Sequence, residues 1–122
     1  RDYYASRGLG DVYKRQVVFS KDGKILMSYT QYDERTSYVI PDGTEVIGDH
    51  AIAYCDNIKE LIIHDSVKEI QSYSFATMDA LEKVNSIPSK VEVLHGTFTN
   101  CHKLKEVYIP EDSKLRKIGR IL

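Results

Sequence analysis

Two cysteines, Cys55 and Cys101, and four histidines, His50, His64, His95 and His102, are the side chains of this sequence with the most chemistry to offer. Thiols and imidazoles at suitable spacing hold zinc, and thiols brought close enough pair as disulfides. The adjacent Asp49 and His50, joined by Ser66, Ser72 or Ser74, contain the residue types of a nucleophile, base and orienting acid. The local spacing supports none of these strongly. No histidine has cysteine or carboxylate neighbours at the intervals of a zinc site, and no serine lies in the G-x-S-x-G turn that exposes a nucleophile. The seven glycines are scattered across turns instead of forming a phosphate-cradling loop. The elements that position these residues decide what they do.

The chain has 122 residues, 42% apolar and 29% charged, within the range of one ordinary globular domain. Seventeen basic and eighteen acidic residues are interleaved, so no basic stripe tracks a phosphate backbone and nucleic acid is not an expected partner. No run approaches the ~20 apolar residues of a membrane-spanning helix, and the first residues lack the basic and apolar regions of a signal peptide. Residues 1–16, RDYYASRGLGDVYKRQ, follow no helical or strand period and have no counterpart elsewhere. The run SRGLGDVYKRQ resembles translated sequencing-adaptor sequence and is set aside, a disordered native linker being the alternative. Without it the chain is mildly acidic. In residues 17–37, Val17 to Ser20 and Ile25 to Tyr29 flank Lys21-Asp22-Gly23-Lys24, and an Asp-Gly pair between β-prone runs predicts a hairpin. A polar connection, Gln31 to Ser37, follows.

From residue 38 the chain repeats itself every 23 residues. Ile52, Phe75 and Phe98 form one column, and Cys55, Met78 and Cys101 a second. Ile58, Leu81 and Leu104, then Leu61, Val84 and Val107, then Ile47, Ile70 and Val93 complete five. A unit this short cannot enclose a core alone, so each coil must bury its apolar columns against its neighbours. Ile58-x-x-Leu61-x-Ile63 and its equivalents predict parallel strands building one sheet. Pro41-Asp42-Gly43, His64-Asp65-Ser66 and Pro110-Glu111-Asp112 supply turns, and a second short strand is expected at Glu45 to Ile47, Lys68 to Ile70 and Glu92 to Leu94. The small column Ala51, Ser74, Thr97 predicts a tight helical turn on the opposite side. The expected architecture is a leucine-rich repeat solenoid of α/β horseshoe type, dominated by β-structure and preceded by the hairpin. Residues 38–122 hold about three and a half repeats, and the uncapped apolar surface expected beyond Ile118 reads as truncation.

The stretches IPDGTEVIGDHAIAYCDNIKELII and VEVLHGTFTNCHKLKEVYIP resemble the BspA-type leucine-rich repeats of bacterial surface proteins, over residues 38–119. Departures from the family pattern are local. Ile52 stands in place of the aromatic anchor, Met78 in place of cysteine, and Gln71 in place of the glycine found at Gly48. The third unit redistributes one residue around Asn85-Ser86-Ile87, and the last turn, PEDSKLRKIG, is two residues longer than its first counterpart. The resemblance implies a secreted or surface-attached module that adheres to or binds a protein, of host or matrix origin. A structural spacer and an accessory repeat region attached to an enzyme are the alternatives.

Cys55 and Cys101 share a column two coils apart, so strands ~4.8 Å apart put their Cα atoms about 10 Å apart. A disulfide requires less than about 7 Å, so buried thiols acting as small apolar groups are expected, with metal or redox roles as the alternatives. The histidines fall in different columns and stacking does not converge them. No cofactor, metal or catalytic residue is assigned. The candidate protein-binding face is the exposed side of the sheet, with Glu60, Lys83 and Glu106 in one column and Ile62, Asn85 and Tyr108 in another. Lys59, Glu82 and Lys105 lie beside them at the strand entry. Each charged column alternates in sign, which also fits a solvated face whose charges set register.

Overall fold

The computed structural model describes residues 17–30 and 34–119, so the reading of residues 1–16 concerns a segment outside the described residues. Ten short strands follow in chain order: β1 Val18–Phe19, β2 Ile25–Ser28, β3 Ser37–Val39, β4 Val46–Ile47, β5 Glu60–Ile62, β6 Glu69–Ile70, β7 Lys83–Val84, β8 Val93–His95, β9 Glu106–Val107 and β10 Lys117–Gly119. The hairpin forms where the Asp-Gly pair places it: β1 runs antiparallel to β2, and Ser20 and Asp22 cap the turn with their side chains. Every later pairing is parallel, between successive coils.

Each coil contributes one strand to each of two walls. The wall β3-β5-β7-β9 is the sheet expected from the Leu61, Val84, Val107 column, with Tyr38↔Leu61↔Val84↔Val107 in register. The other wall is β1-β2-β4-β6, continued by the separate pair β8 and β10. Between the walls lies one core, in which Ile40, Ile47, Ile58, Leu61, Phe75, Met78, Leu81, Ile87 and Leu94 are almost wholly buried. Phe75 is 0% exposed and its ring lies 5.7 Å from that of Phe98 in the next coil. Burial is shared between coils, as so short a unit requires.

Two expectations are corrected. The third side of the coil contains no helix among the described residues, so neither the helical turn at Ala51, Ser74 and Thr97 nor the α/β horseshoe assignment holds. Two columns there sit in the left-handed region instead: His50, Tyr73 and Gly96 at φ 55°, 58° and 60°, and Tyr54, Thr77 and Asn100 at 68°, 55° and 59°. Within each coil the two left-handed residues stand four apart, and that conformation breaks a right-handed helix at both. The N–H groups a helix would satisfy internally donate to the next coil: Ile52 to Ser74 O at 2.8 Å, Tyr54 to Ala76 O at 2.9 Å, and Thr77 to Thr99 O at 2.7 Å. This third ladder makes the molecule a β-solenoid.

The second correction concerns register. Leu94, not Val93, continues the Ile47, Ile70 column: it is buried and pairs with Ile118, whereas Val93 is half-buried. One extra residue at Asn85-Ser86 shifts the spacing to 24 from Ile63 to Ile87, Val67 to Val91 and Ile70 to Leu94. One residue fewer before Thr97 restores 23 at Ser74 to Thr97 and Phe75 to Phe98.

Candidate functional site

The wall β3-β5-β7-β9 is built from strands of two or three residues, whose alternation turns Tyr38, Leu61 and Val84 inward and their neighbours outward. Ser37, Glu60, Lys83 and Glu106 lie side by side in register on the outer surface. Ile62 stands beside Val39 in the second column, with Asn85 and Tyr108 following at 23-residue steps. The structure therefore brings Glu60, Ile62, Lys83 and Glu106 onto one wall, with Asn85 and Tyr108 directly after β7 and β9. Tyr108 is 57% exposed and Val39 48%, whereas Ile62 is half-buried. Val39 was missed because β3 precedes the first complete repeat; stepping 23 residues back from Ile62 locates it.

Within this face Asn85 has a second task. Its Oδ1 accepts from the Ile63 N–H at 2.7 Å and its Nδ2 donates to the Ile63 carbonyl at 3.1 Å. The side-chain amide thus stands in for a strand backbone where the inserted residue interrupts the ladder. The charges of the face form no contact ion pairs among themselves, although register sets Glu60 beside Lys83 and Lys83 beside Glu106. Contact pairs lie on the opposite wall instead, where Glu45 meets Lys68 at 3.1 Å and Lys24 at 3.9 Å, and Arg116 meets Glu92 at 2.9 Å. On the face Lys83 and Glu106 are exposed and Glu60 half-buried, and exposed pairs of this kind contribute only ~0.2–1 kcal/mol each where they do form.

The groups considered for chemistry occupy structural positions. Cys55 and Cys101 are buried and unbridged, with Met78 in the coil between them. The Cys101 thiol donates to Phe75 O at 3.0 Å, and burial pushes its pKa up, away from the reactive thiolate. His50 hydrogen-bonds Asp49, but its ring stacks on Tyr73 at 5.3 Å, and Tyr73 in turn meets the His95 ring edge-on at 5.5 Å. Tyr73 therefore separates the two imidazoles. Ser66 donates to Thr44 O and Ser74 to Gly48 O, both at 2.9 Å, so these hydroxyls serve the coil and not His50. Among the described residues no three His, Cys, Asp or Glu side chains converge.

A family model for the BspA type leucine rich repeat region matches residues 26–121 in six copies. The fold is similar to the crystal structure of the pneumococcal vaccine antigen PcpA, with a TM-score of 0.76 and 27% identity over 84% of this chain. It is also similar to a leucine rich cell surface protein from Faecalibacterium prausnitzii, with a TM-score of 0.60 and 21% identity over 84% of this chain. The chain spans 25% of the first of those proteins and 37% of the second. Among curated proteins none matches.

Proposed function

Because the chain belongs to the BspA-type leucine-rich repeat family, we propose that it is a non-catalytic protein-binding or adhesion module of a secreted or surface-attached bacterial protein. Repeats of this type are typical of bacterial surface proteins, and the two structural relatives are a vaccine antigen and a cell surface protein. The observation that carries the reading is the outer surface of β3-β5-β7-β9. Four coils hold Ser37, Glu60, Lys83 and Glu106 in parallel register, with Val39 paired to Ile62 beside them and Tyr108, Val39 and Ile62 as apolar contacts next to the charges of Glu60, Lys83 and Glu106. A rigid aromatic with few rotamers, flanked by charges, is a common anchor of protein interfaces. The partner class is a folded protein, of host or matrix origin.

The test is a substitution that leaves the core alone. Glu106→Ala with Tyr108→Ala removes two exposed side chains, so the urea midpoint should move little while affinity for an extracellular-matrix protein identified on a sensor panel falls tenfold or more, about 1.4 kcal/mol. Unchanged affinity in the double variant would assign binding elsewhere and leave this wall as a spacer.

A further inference from the structure

The outer surface of β3-β5-β7-β9 is a strip, not a plate. Its strands run for two or three residues, so two outward columns span its width, about 7 Å apart, whereas four coils give it a length of about 14 Å along the stack. In the first column Glu60, Lys83 and Glu106 are in register, so acidic, basic and acidic groups follow one another at steps of about 4.8 Å. None of the three has a contact ion pair among the described residues. Beside them the apolar groups stand toward the two ends: Val39, paired to Ile62, in the first two coils and Tyr108, directly after β9, in the last.

Spacing and width select the occupant. An α-helix rises about 1.5 Å per residue, so side chains at i, i+3 and i+7 on one face lie at about 0, 4.5 and 10.5 Å along its axis, against about 0, 4.8 and 9.6 Å for the three charges. The misfit stays near ~1 Å, within the reach of flexible Lys and Glu side chains. An extended peptide repeats one face every ~6.7 Å and falls out of step after a single coil. A helix about 10 Å across also fits the width of the strip, whereas a second sheet finds too few outward residues per strand to pack on. A second copy of the wall is opposed by charge. A two-fold axis along the column sets each residue on its own equivalent, and one across it sets Lys83 on Lys83 and Glu60 on Glu106. Resting on the protein-binding reading above, the geometry points to an amphipathic α-helix of the partner, lying along the stack with Lys, Glu and Lys at i, i+3 and i+7 opposite the three face charges. Apolar side chains at i+1 and i+8 form its neighbouring stripe. Because the charge order reads the same both ways, the helix runs in whichever direction sets that stripe over Ile62 and Tyr108.

The probe is the end-capped peptide AAQAKLQEAAQKLAQA, which carries that pattern on residues that favour helix. Titrated into the isotopically labelled full chain, it should shift the amide resonances of Lys83 and Glu106 with saturation. The peptide AAQAKLQKAAQELAQA has the same composition and net charge but loses the alternation, and should bind about fivefold or more weakly. The peptide AAQAKLQEPAQKLAQA keeps the charges and breaks the helix, and should bind more weakly still. Reversing the face with Glu60→Lys, Lys83→Glu and Glu106→Lys should transfer the preference to AAQAELQKAAQELAQA. Equal binding of the alternating and non-alternating peptides, undiminished binding of the proline peptide, or no saturable shift with any of them would overturn the helix assignment. In each of those cases the matrix-protein affinity of Glu106→Ala with Tyr108→Ala decides separately whether the face binds a protein at all, so the failure of one reading is distinct from the failure of the other.

Discussion

Gly96 shows how one backbone position disciplines a column. It shares the left-handed turn with His50 and Tyr73, at φ +60°, and a Cβ placed there would lie 2.2 Å from Cε1 of the Tyr73 ring. Both conformation and space therefore require glycine, and the tyrosine of the preceding coil rests on the bare backbone. Gly96→Ala should cost about 2 to 5 kcal/mol by urea unfolding, from the left-handed penalty and the forced displacement of Tyr73 together. Gly43→Ala, also at positive φ but with nothing within 4 Å, should cost only the conformational part, about 1 to 2 kcal/mol. Equal costs at the two positions would show that the Tyr73 contact is slack. The left-handed columns were not legible in the sequence, because Tyr73, Tyr54 and Thr77 carry no signal for φ > 0. Only Gly96, Asn100 and His50, residue types found more often in that region, hinted at it. The small residues Ala51, Ser74 and Thr97 suggested a helix for the reason that makes close coil approach possible in a β-solenoid as well: nothing bulky stands in the way.

Among the elements, strands of two to four residues have little stability of their own and take their order from the parallel ladders. The wall β3-β5-β7-β9 was legible because Leu61, Val84 and Val107 keep a constant interval, and so was the hairpin, because Asp22-Gly23 has one common use between apolar runs. The split between β6 and β8 was only half legible. The redistributed residue around Asn85-Ser86-Ile87 is visible as a break in spacing, but its consequence for the opposite wall depends on where the compensating deletion falls. A sequence column shows Asn85 as one outward residue among others; its amide bridging the Ile63 N–H and carbonyl depends on three-dimensional register. Asn85→Ala should therefore cost about 1 to 3 kcal/mol, as partly buried backbone groups lose their partners, and should speed hydrogen exchange at the Ile63 amide. Asn85→Asp, which removes the donor and keeps the acceptor, should protect the Ile63 amide nearly as well as the native residue. An Ile63 amide indifferent to both changes would place the bridge elsewhere.

For the whole molecule, one core running through stacked coils makes each coil responsible for its neighbours, and the working surfaces are by-products of that stacking. The 23-residue period was sufficient to place the candidate face, because parallel register turns spacing in the sequence into adjacency in space. It could not reveal which face charges pair, since that depends on side-chain reach: Glu45 finds Lys24 and Lys68, while Glu60, Lys83 and Glu106 stay apart. The family model covers residues 26–121 in six copies and the fold is similar to that of a longer vaccine antigen, so the stability of this stretch is the stability of a repeat stack. Phe75 sits at its centre, fully buried and packed on Phe98 of the following coil. The most direct measurement is urea unfolding of Phe75→Ala against the native chain, followed by circular dichroism. A loss of about 3 to 5 kcal/mol is expected, a large part of the ~5 to 10 kcal/mol available to a domain of this size. A midpoint and slope indistinguishable from the native chain would contradict the shared core on which the proposed binding face depends.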